Sequence, residues 1–281
     1  MEITPLVLKH APWSFSKIGV LDLCALQYHR KHIEKVKEQR VSFASNVGVV
    51  VHYITEHMLK LNEPYTVELF KRACEKHGLT QDEEAAVKSF TAKIDAFATW
   101  LKNFTTQYAE GEPLVEQRLA IDRSFNKVDY NDPSVLIRGV IDLGILTKSG
   151  DGVIIDHKTG KHKKIGEHAA QLNIYRLFTV AHFPVRGVHC AIHYVETGRM
   201  DWATAEYREQ IEQKYRPWLI NYLNKQDFKL QLLEKGAPSP ETGWQCRYCG
   251  YQEGCPEGQI EVEEWRQKKA RREKKDGDEN I

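Results

Sequence analysis

The sequence predicts an α/β protein, a central mixed sheet of roughly four to six strands flanked by helices, with a helical insertion and a cysteine-bound cap. Three observations carry this expectation. Between Ser134 and Lys158, two apolar runs rich in β-branched residues flank a Lys148-Ser149-Gly150-Asp151-Gly152 turn, which reads as a β-hairpin. Residues from about Thr66 to Gln107 keep a helical period almost throughout. Cys246, Cys249 and Cys255 crowd together near the end of the chain.

In order along the chain, Ser14 or Ser16 can cap a helix whose apolar face is Leu21, Cys24, Ala25 and Tyr28. A second helix runs from about Ser45 to Leu61, with Val47, Val51, Ile54 and Met58 on one side and His52 beside that stripe. The long helical stretch breaks at His77-Gly78-Leu79-Thr80, where Thr80 or Asp82 can cap the next helix. Phe90, Ile94, Phe97, Leu101 and Phe104 form its core stripe. This region, about residues 62–111, is expected to be an insertion packed over the sheet. Pro113 to Asp122 reads as the first strand, followed by a turn-rich Asn126 to Pro133.

After the hairpin comes a basic loop, Lys161-His162-Lys163-Lys164. A helical pattern starts at about Ile165, with Ala170, Ile174, Leu177, Phe178 and Ala181 on the buried side. Arg186 to Glu196 gives another strand, with Val188, Cys190 and Ile192 on one face, then a charged helix from about Thr204 to Lys225. A linker, Lys235 to Pro240, leads to the cysteines. The last segment, Glu261 to Ile281, is charged throughout, with a basic patch from Arg266 to Lys275, and reads as a frayed helix or disorder. The domain reading is one unit over residues 1–259, with the cysteine cap at 243–259 joined to Cys24, and a charged tail from residue 260.

At 281 residues the chain can bury a sizeable core, and 41% apolar and 28% charged residues are ordinary for a globular protein. A formal net charge of +1 excludes a global field that would mark a nucleic-acid binder, so any basic surface is local. No run approaches a membrane helix, and the N-terminus lacks an apolar signal core, so a cytoplasmic location is expected, in the host if the gene is viral. Six cysteines in such a chain point to metal or buried thiols rather than disulfides, with Cys74 and Cys190 the inert ones.

The chemistry concentrates on the hairpin. Strand alternation places Val140, Asp142 and Gly144 on one face, and Ile154, Asp156 and Lys158 on one face of the next strand. An isolated D-x-K reads as an ion pair. Two Asp converging from apolar strands need a cation between them, and hard oxygens suit Mg²⁺ or Mn²⁺.

Gly139-Val140-Ile141-Asp142, Ile154-Ile155-Asp156-His157-Lys158-Thr159-Gly160, and then Gln171 and Tyr175 resemble the PD-(D/E)xK nucleases, most nearly their RecB-type branch. The resemblance implies a restriction-endonuclease-like core and metal-dependent hydrolysis of DNA. It implies that Asp142, Asp156, the main-chain carbonyl of His157 and a helix-borne histidine hold the metal, with His52 favoured over His57 for that role. Lys158 would act in catalysis, and Gln171 and Tyr175 would orient substrate. Glu116 resembles an acidic residue that supports such a site from behind, a solvent-facing strand Glu being the alternative. The basic loop suits phosphate contacts.

The C-x2-C-x5-C run implies a metal centre that needs a fourth ligand, for which Cys24 is the obvious donor; spacing alone leaves zinc and iron–sulfur open. One distant N-terminal Cys before such a run resembles the iron–sulfur nucleases, the AddB-type subunits and CRISPR-associated exonucleases. That resemblance implies a structural 4Fe-4S cluster on Cys24, Cys246, Cys249 and Cys255. It also implies an exonuclease acting on single-stranded DNA ends, with recombination or CRISPR adaptation proteins as partners. The rival class is a non-cutting nucleic-acid-binding subunit with a zinc-stapled nuclease-like fold.

Overall fold

Apolar, β-branched segments pair into one six-stranded mixed sheet in the computed structural model, which describes residues 2–38, 42–60, 64–236 and 238–278. The helices are α1 (Pro5–Lys9), α2 (Phe15–Leu23), α3 (Ala25–Tyr28), α4 (Phe43–Lys60), α5 (Val67–His77) and α6 (Gln81–Tyr108). Strands β1 (Leu114–Asp122), β2 (Val135–Leu146) and β3 (Gly152–Lys158) follow, then α7 (Ala169–His182) and β4 (Gly187–Tyr194). The chain continues through β5 (Arg199–Trp202), β6 (Glu206–Tyr207), α8 (Arg208–Asn224), α9 (Asp227–Glu234) and α10 (Pro256–Asp278). It divides into two units: residues 1–15 with 43–224, and residues 16–42 with 225–281. No described helix is long and apolar enough to cross a membrane.

In the first unit the strand order is β1-β2-β3-β4-β5, with β6 on β4. Only β3 and β4 are parallel, because α7 carries the chain across between them. Phe97 and Leu101 of α6 pack on Val115, Leu143, Ile145, Val153, Ile155 and Ala191, covering one face of the sheet. The other face receives α7 closely: a Cβ at Gly139 would lie 2.9 Å from the Phe178 ring, and one at Gly152 would lie 2.9 Å from Thr179. A further core joins Val47, Val51 and Ile54 of α4 to Leu69 and Ala73 of α5 and to Val87, Phe90 and Ile94 of α6. Each large side chain so buried contributes roughly 1.5–3 kcal/mol. Of the two candidate caps for α6, Thr80 is the one used, in a reciprocal capping box with Glu83.

The second unit has a smaller core, with Ile18, Leu21, Tyr28, Leu230, Leu233, Tyr251 and Val262 buried. Polar ties supplement it. Lys229 Nζ donates to the carbonyls of Leu21 (3.0 Å) and Asp22 (2.8 Å), while Arg30 donates to those of Tyr251 (3.1 Å) and Gly254 (2.6 Å).

Three expectations need correction. The first helix does not run unbroken through Cys24: that residue is extended (φ −164, ψ 117) and separates α2 from α3. The break directs its sulfur to accept the Glu241 N–H at 3.5 Å. The segment 199–207, read as connection and helix start, forms the short strands β5 and β6, so α8 begins only at Arg208. They are only four and two residues long, too short for the alternation of Met200 and Trp202 to mark a strand. Pro256 opens a helix that extends to Asp278. Leu61, the first residues of the 62–111 insertion, Ala237 of the linker and residues 279–281 lie outside the described residues, as do the side chains of 273–278.

Candidate metal centre and active site

The site begins where the β2–β3 ladder stops. The last pair towards it is Leu143 opposite Ile155. One residue further, the Asp142 side chain replaces the strand: its Oδ2 accepts the His157 N–H at 2.6 Å. A side chain that satisfies a ladder amide lets the two strands part without leaving a buried donor unpaired.

β2 also changes faces at Asp142. Leu143 belongs to the cluster under α6. Ile141 lies against the space beyond Gly144, next to Ile154, on the side where α7 packs. Residues two apart thus point to opposite faces, which corrects the alternation that grouped Val140 with Asp142 and Gly144. On β1 the matching position is Glu116, between the pairs Val115–Leu143 and Gln117–Ile141. Glu116 has φ 48, a left-handed conformation that costs a non-glycine residue on the order of 1–3 kcal/mol. The strain falls on a residue aimed at the site.

From α4, His52 Nδ1 lies 3.2 Å from Glu116 Oε1 and 3.7 Å from Asp142 Oδ1. These three side chains offer donor atoms all within 4.8 Å of one another. Glu116, expected behind the ligands, therefore stands among them. Burial alone would lower the His52 pKa, but the Glu116 hydrogen bond and the Asp142 charge outweigh it and lift the imidazole to about 9. His57 is elsewhere engaged, its Nδ1 2.8 Å from the Tyr53 carbonyl.

Asp156 is 1% exposed. Its Oδ1 accepts from Gln171 Nε2 at 2.8 Å and has the Tyr175 hydroxyl at 3.1 Å. That hydroxyl also lies 3.1 Å from the Val140 carbonyl, and either oxygen can take its proton. Gln171 completes the frame, donating to Tyr175 (2.7 Å) and accepting from Lys158 Nζ (3.0 Å). Asp156 Oδ2 pairs with Lys158 Nζ at 2.6 Å but has no aligned hydrogen-bond donor, although it is buried. Burial, and then the Asp156 charge, raise the Asp142 carboxyl to about 7. The His157 ring has Nδ1 3.0 Å from His193 Nδ1 and stands T-shaped to both Phe97 and His52, while its main-chain N–H faces Asp142.

Three carboxylates, one of them with a buried oxygen that has no aligned hydrogen-bond donor, and an imidazole make a donor set that fits a hard divalent cation.

In the second unit, Cys24, Cys246, Cys249 and Cys255 are all free thiols. Burial raises the Cys246 and Cys249 thiols, and the nearby sulfurs, Cys24 and Cys255 among them, add to the effect. The sulfurs of Cys255 and Cys246 both border Gly258, where an added Cβ would lie 3.3 and 3.8 Å away. The Gly258 N–H points at Cys255 Sγ at 3.4 Å. Four free thiols from both ends of the sequence lie in this unit, the ligand type that zinc and iron–sulfur centres both take. Cys74 and Cys190 are buried in the first unit, away from this group.

Comparison with known proteins adds a family. A model described as the PD-(D/E)XK nuclease superfamily matches residues 12–256. No curated protein matches the chain. A solved structure titled "Crystal structure of SSO0001" is similar over 89% of this chain and 94% of its own, at 16% identity and a TM-score of 0.35, too distant to bear on function.

Proposed function

This chain belongs to the PD-(D/E)XK nuclease superfamily, whose members are metal-dependent nucleases, and from that premise we propose that it hydrolyses DNA as an exonuclease on single-stranded ends. The observation that carries the reading is the convergence of Glu116, Asp142 and His52, within 4.8 Å, beside an Asp156 held by Lys158, Gln171 and Tyr175.

Asp142, Asp156, Glu116, His52 and the His157 carbonyl would hold Mg²⁺ or Mn²⁺. When bound, the ion supplies an acidified water and positive charge against the reacting phosphate. The remaining work falls to the chain. Gln171 and Tyr175 engage Asp156 Oδ1, while Oδ2 lies against the Lys158 ammonium. Burial and the two nearby aspartates push the Tyr175 hydroxyl well above its ordinary pKa, so it stays a donor. Lys158 spends its contacts on Asp156 and Gln171, and an ammonium has a third N–H left to orient water or hold a phosphate oxygen. The basic loop at 161–164 would take the flanking phosphates.

The four cysteines would hold a 4Fe-4S cluster of structural role, zinc being the alternative. Repair, recombination or CRISPR adaptation is the proposed setting.

Divalent-metal-dependent shortening of end-labelled single-stranded DNA tests the catalytic reading. Asp156→Ala is expected to reduce the rate at least about a hundredfold. If this variant digests as fast as the parent, the site assignment fails. A brown, broadly absorbing anaerobic preparation is expected for the cluster; a colourless, fully zinc-loaded one removes the cluster and leaves the nuclease.

A further inference from the structure

The loop after Lys158 carries Lys161, Lys163 and Lys164, and none of the three has an ion-pair partner among the described residues. Exposed lysine loops ordinarily sample many conformations, because ordering each such side chain and its backbone costs conformational entropy. Here the loop is held.

Tyr194 does the holding. It pairs in register with Lys158 across β3 and β4, and its ring is 1% exposed. Its hydroxyl donates to the Lys163 carbonyl at 2.8 Å and accepts the Lys163 N–H at 3.2 Å. His168 Nε2, 2.9 Å away, supplies the remaining contact. One donation and two acceptances exhaust what a phenol can do. His162 and His168 flank the ring, at 4.8 and 6.0 Å between centroids.

A second tie comes from β5. Asp201 accepts from His162 Nε2 at 2.7 Å and from Arg199 Nε at 2.6 Å. These bonds hold the Asp201 carboxyl below its usual range, so it remains a charged anchor. The loop is thereby fixed at its middle by Tyr194 and near its start by Asp201. His168 stands immediately before α7, the helix that presents Gln171.

We infer that Tyr194 and Asp201 are positioning residues that set residues 161–164 as a preformed phosphate-binding arm for the nucleic-acid strand beside the carboxylate site. The inference rests on the nuclease reading. It gives β5, which touches none of the carboxylates, a part in substrate affinity. Preorganisation acts by removing the ordering cost from binding, so its loss appears in KM or Kd rather than in the chemical step.

The test compares the parent with Tyr194→Phe, Asp201→Asn and the triple change Lys161→Gln, Lys163→Gln, Lys164→Gln, on a single-stranded oligonucleotide of fixed length. Expected for Tyr194→Phe and Asp201→Asn is a KM rise of about tenfold with kcat within about twofold, and a shallower dependence of log Kd on log salt. The triple variant should lower that salt slope by about two, at roughly 0.7 per lost phosphate contact on a single strand. Phenylalanine at 194 keeps the packed ring, and an unchanged melting temperature separates positioning from unfolding. If the parent cuts but the lysine variant keeps its Kd and salt slope, the arm is not a phosphate site and this inference falls while the nuclease reading stands. If the lysines matter but Tyr194→Phe and Asp201→Asn bind as the parent does, the positioning role falls alone. A parent that neither binds nor cuts DNA ends both readings.

Discussion

The two units of this chain draw order from different sources. The first buries whole strands, such as Ile141, Leu143 and Ile145 of β2, between α6 on one face and α7 on the other. The second, with α2, α3, α9 and α10, buries few large side chains and relies on lysine and arginine bonds to carbonyls and on four converging thiols. A core of the first kind is stable by area removed from water. In one of the second kind, a metal held at the proposed cysteine site would add its binding free energy to folding. The contrast would also separate the two proposed metals, one serving chemistry in the first unit and one serving structure in the second.

The largest expected effect would break that contrast most clearly. Cys246→Ala, or chelation, should remove hydrogen-exchange protection from α2, α3, α9 and α10 while the sheet amides stay protected. Loss of protection in both units at once would contradict it. Next in size, Phe178→Ala empties the space against Gly139 and should cost the first unit about 3–5 kcal/mol. Thermal unfolding should show the transition of the sheet moving down while the visible spectrum of the cysteine centre, read at low temperature, is unchanged. The smallest effect concerns pH. Burial first, and then Lys17 and Lys31, lower the His32 pKa to about 4. A histidine depressed in the folded state contributes stability that is present above its unfolded value of about 6.5. That stability is lost as pH falls through 6.5 towards 4. Exchange protection in the second unit should therefore weaken over that window, and His32→Gln should flatten the dependence.

Much of this was legible in the sequence where long periodic patterns meet unambiguous punctuation. The hairpin around Lys148–Gly152, the Thr80 cap and the α6 stripe of Ile94, Phe97 and Leu101 follow from alternation, helical spacing and capping alone. Asp142, Asp156 and Lys158 stand out because a charged residue on an apolar strand is costly unless used, and Gln171 and Tyr175 join them through the resemblance to the PD-(D/E)xK nucleases. What stayed hidden depends on tertiary geometry. Nothing local announces the left-handed backbone of Glu116 or the face change at Asp142, since both answer to the parting of β2 and β3. Cys24 looked like part of a continuous apolar helix face, yet the backbone extends there to bring its sulfur to Glu241. β5 is a four-residue strand, Arg-Met-Asp-Trp, at the end of the strand order, and its Asp201 gains meaning only once His162 lies against it.

Mn²⁺ binding, followed by electron paramagnetic resonance on protein with its cysteine centre intact, tests the central claim most directly. Parent protein should bind Mn²⁺ tightly, while Glu116→Ala and Asp142→Ala should each weaken binding at least about tenfold without changing the melting temperature of the second unit. Parent-like Mn²⁺ affinity in both variants would mean that the carboxylates on β1 and β2 do not form a cation site.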